Sequence, residues 1–252
     1  MYAPERQQET LRLAREAGRV DVLSLADRFQ VTAETVRRDL TALDRAGLVR
    51  RVHGGAIPAG RLDFEPDPSA RLTAADEKDR IAAAALAELP GGGSVVLDAG
   101  STIARLAAVI PVEAALTVVT HALPVAARLA DHTGIDLHLV GGRVRHRTRA
   151  AVDAWALRAY AEIRADVLFL ATNGFTAGGG LTTPDLAEAA VKRAAIAAAR
   201  RVVLLADSAK AGQEHFARFG SFEDIDLLIT DTGLAPAHKV AIEAAGTEVV
   251  LV

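Results

Sequence analysis

From about residue 77 onward the chain alternates two kinds of segment, and this alternation limits its fold more than any other feature. Short apolar runs lie at 94–97, 116–120, 135–140, 167–171, 202–206, 227–230 and 248–252. Alanine-rich segments of helical character separate them, at 77–89, 103–109, 123–130, 152–161, 185–200 and 236–245. Strand and helix in alternation imply a mostly parallel sheet with helices on both faces. Continuous runs such as Val95-Val96-Leu97 fit strands buried on both sides. No internal repeat of fixed period is present.

The first sixty residues follow a different pattern. A helix over 5–17 carries Leu11, Leu13, Ala14 and Ala17 and ends at Gly18. A short β-like stretch at 20–22 leads to a second helix, 23–29, with Leu25, Ala26 and Phe29 on one face. Thr32 offers an N-cap hydroxyl to a third helix, 33–46. Val36, Leu40 and Leu43 fall at i, i+4 and i+7 of that helix and make one stripe. Gly47 stops it, and 48–57 alternates weakly around His53-Gly54-Gly55, as a two-stranded wing would. Pro66 and Pro68 among Asp63, Glu65 and Asp67 mark a linker. The expected division is a first domain over 1–58, a linker over 59–75 and a second domain over 76–252.

Composition narrows the function classes. Half of the 252 residues are hydrophobic, enough for a packed core, yet charges interrupt every apolar stretch well short of a membrane span. The first eight residues are polar and lack the apolar core of a signal peptide. There is no cysteine, so disulfides and thiolate metal sites are excluded. A cytoplasmic protein with no membrane contact, no metal and no cofactor is expected. The net charge of −3 hides an asymmetry: residues 1–60 hold ten arginines against eight acids, and the remainder is acidic. A basic head on an acidic body fits a nucleic-acid module joined to another domain.

The third helix has the make-up of a DNA-reading element. Such a helix needs one face anchored in its domain and another open to the major groove. Val36, Leu40 and Leu43 form the anchor, and Arg38 lies about 200° around the helix from Val36. Glu34 shares the outward face, flanked by Thr35 and Arg37. Arginine can pair bidentately with guanine, and threonine can meet a thymine methyl or a phosphate. Thr32 and Thr35 stand where helix-end amides also favour phosphate. Arg50, Arg51 and His53 on the wing are placed for backbone or minor groove, and double-stranded operator DNA is the implied partner. Asp39, near the anchored face, is expected to pair with an arginine. Solvated arginines on an amphipathic helix would look similar over a shorter stretch. The whole run from Val31 to Ala56 is more specific, because a Thr-x-Arg-Arg-Asp-Leu helix and an Arg-x-His-Gly-Gly wing occur at one separation. It resembles the signature of the DeoR family of bacterial repressors.

That resemblance extends over nearly the whole chain. It implies an α+β protein overall: a winged helix-turn-helix followed by an α/β sensor domain, ribose-phosphate-isomerase-like, with a mostly parallel sheet. Loops after successive strands would then converge on an effector, since open α/β sheets bind ligands at the carboxyl ends of their strands. The implied effector residues are Asp98, Gly100, Ser101 and Thr102 after the first run, and Thr120 and His121 after the second. Gly141, Gly142 and Arg143 follow the third, and Asn173 and Gly174 the fourth. Glu188 and Lys192 lie on the next helix, and Asp207 and Lys210 follow the fifth run. Glu188 and Lys192 also stand at i, i+4, the spacing of an ordinary helical salt bridge. Arg143, Arg145, Arg147 and Arg149 with His146 form a basic run that suits either phosphate or solvent. Lys210 is the strongest candidate for an anion contact. Three positions depart from the family pattern: His121 replaces an asparagine, Ala171-Thr172 stands where glycine is usual, and Ala211 replaces an aromatic residue.

A narrower resemblance joins Met1–Gln8, Glu77-Lys-Asp, Leu137-His-Leu-Val-Gly-Gly-Arg-Val-Arg and Glu188-Ala-Ala-Val-Lys-Arg to the fructose-operon repressors of actinobacteria. It implies a repressor acting as a homo-oligomer, dimer or tetramer, and released by a sugar phosphate such as fructose 1-phosphate. The alternative is a sugar-phosphate isomerase or deaminase-like enzyme on the same α/β fold. No catalytic residues are expected.

Overall fold

The structure is a computed structural model that describes residues 2–46, 48–52, 54–58 and 74–252. Gly47, His53 and the greater part of the expected linker, 59–73, lie outside the described residues. The chain divides into two compact units, Met1–Pro66 and Asp67–Val252.

The first unit runs α1 (Ala3–Ala17), β1 (Val20–Asp21), α2 (Val22–Phe29), α3 (Ala33–Arg45), β2 (Val49–Val52) and β3 (Gly55–Pro58). Local chemistry sets the helix ends. Gly18 closes α1 in the left-handed conformation at φ 75°. Asp21 caps α2 by accepting the amides of Leu23 and Ser24, and Thr32 caps α3 by accepting that of Thr35. Val36, Leu40 and Leu43 bury against Ala14, Leu25, Val49 and Ala56. The wing has more strands than expected. Residues 20–21 join it, giving the antiparallel order β1-β3-β2 with Val20 opposite Ala56 and Asp21 opposite Gly55. Here glycine is required by proximity: a Cβ on Gly55 would lie 1.9 Å from the Val20 carbonyl oxygen.

The second unit opens with α4 (Ala75–Ala85), β4 (Gly93–Leu97), α5 (Ser101–Val109), β5 (Leu116–Thr120), α6 (Leu123–Leu129) and β6 (Ile135–Leu139). It continues with β7 (Arg143–Arg145), β8 (Ala150–Val152), α7 (Ala154–Ala161), β9 (Ala165–Leu170), β10 (Gly174–Thr176), β11 (Gly180–Thr183) and α8 (Leu186–Ala197). It closes with β12 (Ala199–Leu205), β13 (Ala217–Gly220), β14 (Leu227–Thr230), α9 (Pro236–Ala244) and β15 (Glu248–Leu251). Seven strands form one sheet in the order β15-β14-β12-β9-β4-β5-β6, with every adjacent pair parallel. Alternate residues face opposite layers. Val95, Leu97, Phe169 and Leu205 pack with α4, α5 and α6, whereas Val96, Leu168, Leu170 and Leu204 pack with α7, α8 and α9.

Two smaller pieces are additions to the expected alternation. β7 and β8 form a hairpin with Arg143 opposite Val152. β10, β11 and β13 form a separate three-stranded sheet. The helix expected from residue 152 therefore begins at Ala154, because Val152 is held in the hairpin and Asp153 turns the chain at φ 75°. α7 sends Tyr160 into the core and leaves Trp155 68% exposed. Among the described residues, no helix is long and apolar enough to cross a membrane.

Candidate functional site

In the first unit, the outward face of α3 is open and loosely held. Arg38, Glu34 and Arg37 have side chains 81%, 62% and 53% exposed. Their contacts are long, 3.8 Å from Arg38 to Glu34 and 3.6 Å from Arg37 to Glu34. Exposed pairs of this kind contribute little, so either arginine can exchange its partner for a phosphate or a base at small cost. Thr32 and Thr35 share a hydroxyl contact of 2.9 Å at the start of the helix. The opposite face is fixed. Asp39 is buried and receives Arg6 at 2.5 Å and Gln7 at 3.1 Å, both from α1.

The wing is tied to the same helix. Arg51 gives its backbone amide to Asp44 at 3.1 Å and its guanidinium to Thr41 at 3.1 Å. Arg50 is half-buried, and burial pushes its pKa down from the usual value. Thr41 and Asp44 were not singled out in the sequence. Their spacing on α3 was legible, but nothing in it shows that the wing folds back onto them. His53 lies outside the described residues.

In the second unit, the strand order marks where sheets of this topology bind ligands. From β4 the sheet grows through β5 to β6, then resumes on the other side of β4 with β9, β12, β14 and β15. The switch point therefore lies between the carboxyl ends of β4 and β9, where open α/β sheets bind ligands. Asp98, directly after β4, is fully buried there. Its Oδ2 accepts the Ala171 amide, beyond β9, at 2.9 Å and also pairs with the Lys192 ammonium of α8. Lys192 donates a second bond to the Ala171 carbonyl at 2.8 Å. Asp98 Oδ1 accepts no hydrogen bond and faces His121 Nε2 at 3.5 Å. His121 Nδ1 lies 2.8 Å from the Tyr160 hydroxyl.

Burial sets the protonation of His121 and Tyr160. Burial lowers the His121 pKa to about 4, and Lys192 adds to this while Asp98 opposes it. Burial, then Asp98, holds the Tyr160 phenol well above its ordinary value. A neutral imidazole with its proton on Nε2 presents that proton to Asp98 and accepts from Tyr160 at Nδ1.

A second cluster follows β12. Asp207 is buried, with Lys78 of α4 and Lys210 each 3.8 Å from its Oδ2. Beside it, Asp231 accepts the Ser208 amide at 2.6 Å, the Ser208 hydroxyl at 2.7 Å and the Gly233 amide at 3.0 Å. Burial alone would raise the Asp231 pKa, but these donors together bring it below the usual value.

The remaining expected residues divide by location. Gly100 and Ser101 are half-exposed at the start of α5, and Thr102 is buried with its Oγ1 unpartnered. Asn173 is half-buried. Gly174 is set by packing, since a Cβ there would lie 2.4 Å from the Gln213 carbonyl oxygen. The Thr120 hydroxyl is committed to Leu97 and Ala122. Gly141 is exposed, and a Cβ on Gly142 would meet the Val152 carbonyl at 2.6 Å. Arg143 is exposed and pairs with Asp153 at 2.6 Å, which raises its pKa.

The reading of Glu188 and Lys192 as a helical salt bridge is corrected. Lys192 pairs with Asp98, whereas Glu188 meets Arg145 at 3.0 Å and Thr183 at 3.4 Å. Arg145 also reaches Asp185 at 3.0 Å, so the β7–β8 hairpin is fastened to the start of α8. Lys78 and Tyr160 were missed. Lys78 carried a signal: it is a charged residue on the apolar stripe of its helix, in register with Ile81, Ala82 and Ala85.

Residues 6–59 match the DeoR-like helix-turn-helix domain, and residues 73–232 match the DeoR C terminal sensor domain. The HTH-type transcriptional regulator GlpR of Haloferax volcanii is 36% identical over 99% of this chain and 98% of its own length. The glycerol-3-phosphate regulon repressor of Escherichia coli is 30% identical over 92% of each chain. Among solved structures, the full-length sorbitol operon regulator SorC from Klebsiella pneumoniae covers 94% of this chain and 97% of its own at 11% identity, with a TM-score of 0.41. The chain belongs to the DeoR family of transcriptional regulators.

Proposed function

We propose that this protein is a cytoplasmic transcriptional repressor. Residues 1–58 bind operator DNA as part of a homo-oligomer, and a phosphorylated sugar in the crevice of residues 76–252 releases it. The observation that carries the reading is the presence in one chain of an outward arginine face and two buried charged clusters at the carboxyl ends of the parallel strands. The first comprises Thr35, Arg37 and Arg38 on an anchored helix; the second comprises Asp98 with Lys192, and Asp207 with Lys78 and Lys210. Ammonium groups suit a phosphoryl group, and carboxylates suit sugar hydroxyls. A relative named for a glycerol-3-phosphate regulon supports an effector that is a small phosphorylated polyol. Within that class we propose a fructose phosphate, fructose 1-phosphate first, and a fructose-utilisation operon as the target.

The test is an operator gel shift titrated with fructose 1-phosphate, fructose 6-phosphate, glycerol 3-phosphate and unphosphorylated fructose. Release by fructose 1-phosphate is expected. Operator affinity indifferent to every phosphorylated member would end the sensor reading. One observation favours an enzyme instead: a buried lysine, aspartate and histidine in mutual contact can move protons. Turnover of a sugar phosphate by the purified protein, followed by product analysis in the same titration, would favour that reading.

A further inference from the structure

The main sheet has two edges, β6 and β15. An edge strand leaves a row of amides and carbonyls without a neighbouring strand, and monomers guard such rows with lysine, proline, a bulge or a covering segment. β6 contains no lysine and no proline, and its register with β5 is unbroken from Ile135 to Leu139. Among the described residues β5 is its sole strand neighbour. Val140 gives its amide to the Thr120 carbonyl at 2.8 Å, so by alternation the backbone groups of Leu137 and Leu139 point away from β5. Asp136 and His138 stand together on the open face, 3.2 Å apart, with side chains 74% and 57% exposed. Leu139 is also exposed.

This edge is complementary to itself. Opposed residues of an antiparallel pair lie on one face of the sheet. A two-fold axis normal to the sheet preserves the faces, so the axis must pass through a residue. The centres that overlap more than one residue of β6 are Asp136, Leu137 and His138. Centred on Asp136, the pairing sets carboxylate against carboxylate; centred on His138, it sets imidazole against imidazole. Centred on Leu137, it sets Asp136 against His138 of the second copy, and does so twice. In that register Leu137 meets its own copy and Ile135 meets Leu139. Ile135 and Leu137 already pack with the α6 layer, so the apolar layer continues across the axis. β15 has no such register. In every self-pairing of Glu248–Leu251 the carboxylate faces its own copy or an aliphatic side chain.

We infer that β6 is the surface on which a second copy of this chain docks, antiparallel about a two-fold axis at Leu137, so that the two seven-stranded sheets run on as one. This rests on the homo-oligomer of the proposed function and gives that assembly a surface. Two-fold pairing satisfies both β6 edges at once and leaves neither for further copies. The Asp136–His138 pairs form on the face opposite α6, where an imidazole N–H donates to the carboxylate.

The test uses the full-length protein. The chain has no cysteine, so Leu137→Cys places a single thiol at the axis. The Cα atoms of a hydrogen-bonded antiparallel pair lie about 5.5 Å apart, within reach of a disulfide. Mild oxidation should give a covalent dimer on a denaturing gel, whereas Leu251→Cys on the β15 edge should give none. Sedimentation over a concentration series supplies the second arm, with changes confined to exposed side chains. His138→Asp sets carboxylate against carboxylate and should weaken self-association by about 10-fold. Adding Asp136→Lys restores an opposite pair and should recover it. Should Leu137→Cys not fold, the sedimentation series decides alone. An oligomer that yields no disulfide from Leu137→Cys and is indifferent to His138→Asp is held by another surface, or β6 is covered by its own chain, and the inference is overturned. Equal cross-linking of Leu137→Cys and Leu251→Cys would mark random collision and counts against it as well. If the unaltered protein sediments as a monomer throughout, the homo-oligomer reading itself fails, which separates the two outcomes.

Discussion

Arg38 and His121 show how differently two single side chains can act in one protein. Arg38 is the most exposed member of the α3 face, and it pairs only loosely with Glu34, at 3.8 Å. If it reads a base, Arg38→Ala should weaken specific operator binding by about 1–3 kcal/mol and leave binding to random DNA nearly unchanged. Competition gel shifts with specific and scrambled duplexes measure the difference, and equal losses on both would assign Arg38 to phosphate. His121 acts through burial. Its pKa falls from 6.5 unfolded to about 4 folded, so the unfolded chain binds more protons in between. Stability therefore rises with pH across that window and is lost as pH falls through it. Between pH 7.5 and 5 the loss from this one group is on the order of 2 kcal/mol. His121→Asn should flatten the pH dependence of urea unfolding by about that amount. A slope unaffected by the substitution would mean that the imidazole is charged in the folded protein.

At the scale of elements, the wing depends on a backbone contact that no side-chain pattern reveals. Gly55 lets β3 lie against Val20 of β1. Gly55→Ala forces the two strands apart and should cost more than about 2 kcal/mol in the first unit, with loss of operator affinity. Fructose 1-phosphate binding should persist, which calorimetry on the variant would show; an unchanged melting temperature would refute the close approach. The same contrast explains what could be read in advance. All seven strands of the main sheet coincide with apolar runs; in the inner strands β9 and β14 burial on both faces leaves 167–170 and 227–229 apolar without a break, whereas the edge strand β6 alternates, with Asp136 and His138 exposed. The β7–β8 hairpin and the β10-β11-β13 sheet had no such signature, since they are short and their pairing is set by distant partners. Strand ends behaved likewise. Asp98 and Asp207 were visible as loop acids, but the layer each one meets follows from strand register. Leu97 faces the α4 layer, so Asp98 turns toward α8, whereas Leu205 faces the α4 layer and Asp207, two residues on, returns to it.

For the whole molecule, the two units must be linked thermodynamically if the proposed function holds. An effector that weakens operator affinity by some factor must itself bind more weakly, by that factor, to the operator-bound protein. Calorimetric titrations of fructose 1-phosphate with and without operator duplex should return the same ratio as gel shifts with and without effector, and unequal ratios would exclude a simple two-ligand cycle. The legible part of the molecule was greatest where local pattern decides, in the capped and striped α3 and the buried strands. It was least where remote segments meet, as in Arg145 fastened to α8 or Tyr160 against His121. That last contact makes α7 a natural reporter. The helix that sets Tyr160 against His121 also bears Trp155, the sole tryptophan of the chain, in water. Intrinsic emission therefore comes from a single indole on an element that contacts the His121–Asp98 cluster, so an effector bound there as proposed should be readable optically without any attached dye.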